Sequence, residues 1–161
     1  MPNNVAPTFL SQQITDRHKD LVSRLNCVIY PWRKLTIAID GLDGSGKSSL
    51  GRFLAWQLGM PLIETDLLLN QQSERINHDI ATFSRLLAAR HDRDRPAIVE
   101  GVFVVKTLAE AGVTADFLIY VEATGREGSH AWKADFEAYE AEYKSRQNAT
   151  FVFTWSPGIS S

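Results

Sequence analysis

The chain has 161 residues, 44% hydrophobic and 22% charged, the proportions of an ordinary globular domain able to bury one core. Lys and Arg (17) nearly balance Asp and Glu (19), a net charge of −2, so no basic field exists to hold a nucleic-acid backbone, and nucleic acid is excluded as a main partner. The single cysteine, Cys27, allows neither an internal disulfide nor a thiolate metal site, and the absence of a signal-like leader or a membrane-length apolar run makes the cytoplasm the expected setting.

Residues 1 to 8 are polar and interrupted by proline, and read as a loose terminus. Leu10, Ile14, Leu21, Leu25 and Val28 fall on one helical face and predict an amphipathic helix that stops before Pro31. Leu35-Thr36-Ile37-Ala38-Ile39 then predicts a buried strand that meets a tight turn at Asp40-Gly41. From Lys47 the pattern is helical, with Leu50, Phe53, Leu54 and Leu58 on one side and Gly59 as a stop. Pro61-Leu62-Ile63 is a second strand. Ile76, Ile80, Phe83, Leu86 and Leu87 mark a helix that dissolves in the charged run Arg90 to Arg95, read as an exposed loop. Ala97-Ile98-Val99 predicts a third strand, Val102 to Ala111 a helix and Phe117 to Val121 a fourth strand. Trp132, Phe136, Tyr139 and Tyr143 line one face of a further helix; this stripe reads as core packing, with stacking on a nucleobase as the alternative. Ala149 to Trp155 is a fifth strand, followed by Pro157-Gly158. Strands alternating with helices predict right-handed crossovers and a parallel sheet covered on both faces, an α/β architecture in one domain over 1–161.

Gly41-Leu42-Asp43-Gly44-Ser45-Gly46-Lys47-Ser48-Ser49 satisfies G-x-x-x-x-G-K-[ST] between a buried strand and a helix. Glycines let successive N–H groups turn inward at the positive end of a helix, which makes an anion nest for the phosphates of ATP. Lys47 is expected to bridge the β- and γ-phosphates and the Ser48 hydroxyl to ligate Mg²⁺, whereas Ser49 reads as a first-turn helix residue.

Ligands in open parallel sheets bind beyond the carboxyl ends of the strands. Glu100, directly after Ala97-Ile98-Val99, stands where a carboxylate can hold Mg²⁺, and Gly101 would let it approach the phosphates. Asp66, shortly after Leu62-Ile63, could accept the proton of an attacking hydroxyl. Glu64 competes for that role, since strand alternation would point the two carboxylates in similar directions.

The segment Asp40 to Ser48 resembles the phosphate loops of the nucleoside and nucleotide kinase superfamily, and Gly-Leu-Asp-Gly-Ser-Gly-Lys-Ser is especially like thymidylate kinases. Gly51 to Asp66 is similar to shikimate and gluconate kinases, where a Thr-Asp after the second strand contacts the accepting substrate. Ile98-Val99-Glu100-Gly101-Val102-Phe103, with Phe117 to Val121 beyond it, resembles uridine kinases. The likeness covers about residues 34 to 125. It implies a three-layer P-loop NTPase fold with a five-stranded parallel sheet of order 2-3-1-4-5, preceded by a tail and helix over 1–30. It also implies an acceptor region near 66 to 95 and a mobile lid near 125–146. Such lids present clustered arginines; here Arg126 is the best candidate and the cluster is missing. The expected function is an ATP-dependent kinase for a nucleoside-like metabolite. The alternatives are a kinase for a carboxylated or sugar-like metabolite, or a nucleotide-binding protein without phosphotransfer.

Overall fold

A computed structural model describes residues 13–70 and 75–156; the expected loose terminus, Leu10 and Pro157-Gly158 lie outside the described residues. The five apolar runs form strands β1 (Leu35–Gly41), β2 (Leu62–Glu64), β3 (Pro96–Glu100), β4 (Phe117–Ala123) and β5 (Phe151–Trp155). All pair in parallel in the order β2-β3-β1-β4-β5, as expected. β1 and β3 are buried along their whole lengths, which is why both read as nearly continuous apolar runs.

Helices α1 (Asp16–Ile29), α2 (Lys47–Leu58), α3 (Ile80–His91) and α4 (Val104–Glu110) cover the two faces, and α5 (Lys133–Tyr143) and α6 (Ser145–Asn148) follow β4. Leu21, Leu25 and Ile29 of α1 and Leu50 and Leu54 of α2 pack with Ile37, Ile39 and Ile98 on one face. Phe83, Leu87 and Leu108 pack with Ala38 and Val99 on the other. A smaller cluster of Val102, Phe103, Phe136 and Tyr139, joined by Leu42, Ile76 and Trp132, sits beyond the carboxyl ends of β1 and β3. Phe136 and Tyr139 of the aromatic stripe are therefore core residues, with Trp132 and Tyr143 half-buried against them. Gly59 ends α2 in the left-handed conformation (φ 64°), where glycine escapes the steric cost of a Cβ.

Three expectations shift. Ile14 lies before α1 and is 55% exposed, so its place in the apolar series is fortuitous. The helix instead starts where the Thr15 amide donates to His18 Nδ1 (3.1 Å). α3 starts at Ile80 and not at Ile76, because Asp79 caps it by accepting from the Thr82 amide (3.0 Å). The run Arg90 to Arg95 is not wholly an exposed loop. Arg90 and His91 form the last turn of α3, His91 is buried beside Thr36, and the Arg95 guanidinium lies 4.7 Å from the Trp32 ring centre.

The edge strand β5 is bordered by α1. Arg17 donates to the Val152 carbonyl (2.7 Å), and the guanidiniums of Arg17 and Arg24 lie over the Phe151 ring at 4.6 and 5.3 Å. No helix among the described residues is long and apolar enough to cross a membrane.

Candidate active site

The phosphate loop begins inside β1 and ends in the first turn of α2. Its backbone needs glycine at both ends. A Cβ on Gly41 (φ 143°) would stand 2.4 Å from the Val121 carbonyl oxygen, and one on Gly46 (φ 98°) would stand 3.0 Å from the Trp155 ring. Side chains from later elements grip the loop from outside. Ser129 donates its amide to Asp43 (2.7 Å), Arg126 donates to the Gly44 carbonyl (3.2 Å), and the Trp155 indole donates to the Ser45 carbonyl (2.6 Å). Leu42 joins the small cluster above the strand ends.

Lys47 is 5% exposed, and its ammonium donates to the Leu42 carbonyl (2.7 Å). Burial pulls its pKa down, while Asp40, Glu100, Asp66 and Asp43 surround it and favour the charged form. The Ser48 hydroxyl donates to Glu100 Oε1 (2.9 Å); Ser49 is exposed on the first turn of α2. Glu100 is 1% exposed, and its second oxygen, Oε2, is buried with no hydrogen-bond partner among the described residues. Burial pushes this carboxyl up, and the Ser48 hydrogen bond and Lys47 oppose it. Among the described residues no three His, Cys, Asp or Glu gather as a metal cluster. One carboxylate beside one hydroxyl nevertheless suits Mg²⁺, which keeps several waters and draws its other ligands from nucleotide phosphates. The orphaned Glu100 oxygen fits such an ion.

The two rival carboxylates part company. β2 ends at Glu64, and the chain turns at once into a short 3₁₀ helix, Thr65–Leu68, so strand alternation does not govern Asp66. Glu64 turns to α2 and takes both Arg52 donors (2.8 and 3.2 Å). Asp66 accepts from the Val102 amide (3.3 Å) and contributes to the field on both Lys47 and Glu100. A Cβ added to Gly101 (φ 152°) would lie 1.9 Å from the buried Thr65 hydroxyl, so glycine there lets β3 and the Thr65–Leu68 turn meet.

Asp40, given no role in the sequence reading, is 1% exposed. Its Oδ1 accepts from the Gly41 amide (2.8 Å), and its Oδ2 accepts from the hydroxyls of Tyr139 (2.5 Å) and Ser145. Burial pushes the carboxyl up, and these donors with Lys47 pull it back toward the charged form. No sequence spacing could have found this group, whose members lie 99 and 105 residues apart. The β1 aspartate itself, a charge at the end of an apolar strand, was the available signal. A cavity of about 250 Å³, lined by Asp40, Leu42, Tyr120, Phe136 and Tyr139, opens between the loop and α5. A second, of about 270 Å³, lies between Asp43, Ser45, Thr124 and Arg126.

A family model described as Shikimate kinase matches residues 43–97, which span most of the loop, Asp66 and β3 up to Ala97. A shikimate kinase from Mycobacterium bovis (strain BCG / Pasteur 1173P2) is 35% identical over 99 residues, covering 55% of this chain and 56% of the relative. A cytidylate kinase from Pyrobaculum aerophilum is 33% identical over 61 residues, 38% of this chain and 33% of that one. The chain thus spans about half the length, or less, of these curated relatives. Among solved structures, a protein of Bacillus stearothermophilus described as a possible uridine kinase shares the fold, with TM-score 0.59 and 19% identity over 86% of this chain and 97% of that one. In sheet order, phosphate loop and these partial matches the chain is similar to P-loop nucleoside and nucleotide kinases, and it shares their fold.

Proposed function

We propose that the protein is an ATP-dependent kinase that transfers the γ-phosphate to a hydroxyl of a small metabolite. The observation that carries this reading is the pairing of Ser48 with Glu100, whose free, buried oxygen stands beside the phosphate loop. The loop amides of residues 41–49 would bind the phosphates, and Lys47 would exchange its bond to the Leu42 carbonyl for β- and γ-phosphate oxygens. Ser48 and Glu100 would hold Mg²⁺, which supplies charge neutralisation at the phosphates. Asp66 would take the proton of the acceptor hydroxyl as its oxygen bonds to the γ-phosphorus and the bond from that phosphorus to the bridging oxygen of ADP breaks. Glu64, held by Arg52 against α2, would stay out of this step.

The cavity lined by Leu42, Tyr120, Phe136 and Tyr139 would suit a ring-bearing, nucleoside-like acceptor. The family match over 43–97 supports the carboxylated or sugar-like alternative. Nucleotide binding without transfer is a second reading with an observation of its own. Arg126, the arginine expected to close over the phosphates, is exposed and rests on the Gly44 carbonyl and near the Trp155 ring (5.7 Å).

Calorimetric titration with Mg·ATP, together with ADP release across a panel of nucleosides, cyclic hydroxy acids and sugars, tests all three. Wild type binds Mg·ATP and turns over one class, while Lys47→Ala loses both without losing its thermal transition. Unchanged binding in Lys47→Ala refutes the loop's role; binding without turnover across the panel selects the second reading.

A further inference from the structure

The two segments assigned to phosphate and metal follow neighbouring strands, β1 and β3, which pair with Ile39 opposite Glu100, and beyond the strand ends a side chain from α5 bridges them. The Tyr139 hydroxyl donates to Asp40 Oδ2 (2.5 Å) at the root of the phosphate loop and accepts the Val105 amide (3.2 Å) in the first turn of α4. Glu100 ends β3 five residues before Val105, with the connection 101–103 between them. The Val105 amide can only donate, so the phenol must accept it, which leaves the phenolic hydrogen for Asp40. The ring is clamped as well, with Phe103 at 4.7 Å and Tyr143 at 5.1 Å, and Tyr139 is 6% exposed. Phe103 itself holds a left-handed backbone (φ 55°), a conformation that surrounding contacts must sustain in a bulky residue.

We propose that Tyr139 is a positioning residue for the nucleotide–metal site: its hydroxyl ties the Asp40 root of the phosphate loop to the start of α4, a second tie beside the β1–β3 pairing, and so steadies Glu100 against Ser48 as one shared cation seat. The proposal rests on the kinase reading given above. Removing the hydroxyl leaves the aromatic packing and the β1–β3 pairing in place but releases the α4 start from the Asp40 root, which loosens the 101–103 connection behind Glu100. ATP alone needs only the phosphate loop. Mg·ATP needs both sides of the seat, so its binding carries the loss.

Ser145 supplies the control. Its hydroxyl donates to the same Asp40 oxygen and lies beside the Tyr139 hydroxyl, but it comes from α6, whereas it is Tyr139 that accepts the Val105 amide. Ser145→Ala therefore removes a buried hydrogen bond of the same kind without uncoupling the two loops.

The experiment is calorimetric titration of full-length wild type, Tyr139→Phe and Ser145→Ala with ATP plus EDTA and with ATP plus Mg²⁺, beside thermal unfolding of each. Tyr139→Phe is expected to weaken Mg·ATP binding about tenfold, the scale of one buried hydrogen bond, and metal-free ATP binding less than about twofold. Ser145→Ala should lower thermal stability while keeping the wild-type ratio of the two affinities. Equal losses with and without Mg²⁺ in Tyr139→Phe, or the same Mg²⁺-specific loss in Ser145→Ala, would overturn the proposal and reduce the cluster to a structural one. Failure of wild type to bind ATP under either condition would instead remove the kinase reading. If Tyr139→Phe does not fold, Tyr139→Trp, which keeps a ring and places a lone N–H donor there, takes its place with the same expected ratio.

Discussion

Gly101→Ala tests whether the end of β3 and the Asp66 turn form one built unit. The new methyl would lie 1.9 Å from Thr65 Oγ1 and 3.1 Å from Asp66 Oδ1, at a backbone φ of 152°. Ordinary contact begins near 3.4 Å, so the Thr65 hydroxyl must retreat by about 1.5 Å. It has no open direction, because Thr65 is 0% exposed. Overpacking of this kind costs about 1–3 kcal/mol, and the glycine-favoured backbone adds roughly 1–3 kcal/mol for alanine. At roughly 2–4 °C per kcal/mol for a chain of this size, the melting temperature should fall by roughly 5–20 °C. The displaced group is the Thr65–Leu68 turn, while the phosphate loop is not in the clash. The variant, assayed well below its transition, should therefore retain metal-free ATP binding within about threefold and lose about 10²-fold or more in kcat. Differential scanning fluorimetry, calorimetry with ATP and an ADP-release assay read the three quantities. A melting temperature within about 1 °C of wild type refutes the steric argument; a stability loss with full turnover refutes the placement of the acceptor beside Asp66.

Asp66→Asn keeps the shape of the side chain and removes its basicity, so kcat should fall about 10²- to 10⁴-fold with ATP affinity nearly unchanged, and Glu64→Gln should cost less; the reverse ranking in steady-state kinetics exchanges the two roles. Glu100→Gln should raise the Mg²⁺ concentration needed for half-maximal Mg·ATP binding while leaving metal-free ATP binding unaltered, and superimposable Mg²⁺ titrations would remove Glu100 from the cation seat. Burial lowers the pKa of His18, so the unfolded chain takes up a proton near pH 6.5 that the native state refuses, and stability is lost as pH falls from there toward the folded value. The difference in melting temperature between wild type and His18→Gln should therefore shift against wild type between pH 7.5 and pH 5.5, and a constant difference would show that His18 does not titrate differently in the two states.

The order of strands and helices was legible because each strand is a short apolar run and each crossover helix carries its own apolar stripe. The positions of Lys47, Ser48 and Glu100 were legible from two signals: the G-x-x-x-x-G-K-[ST] run located the first two, and a parallel sheet delivers strand ends to one edge, which located the last. Asp66 was harder. Its direction depends on a 3₁₀ turn that begins one residue after Glu64, and a two-residue period carries no information past the end of a strand. The start of α3 was misread because Ile76 fits the apolar period, yet the Asp79 cap overrules it. The Asp40–Tyr139–Ser145 group was out of reach altogether. A buried carboxylate and two hydroxyls brought together by three separate elements leave no periodic trace, and only the unusual position of an aspartate within β1 hinted at it.

The helix beside β5 has a consequence for the whole molecule's solution behaviour. β5 is an outer strand, and Ala149 to Trp155 contains no charge and no proline, with three aromatic rings among seven residues. That composition is prone to recruit another strand edge to edge. α1 occupies the approach: Arg17 holds the Val152 carbonyl, and Arg17 and Arg24 spread their guanidiniums over Phe151. A chain lacking residues 1–30 would thus present an adhesive border at β5 together with the bare apolar face that Leu21, Leu25 and Ile29 had covered, and should self-associate.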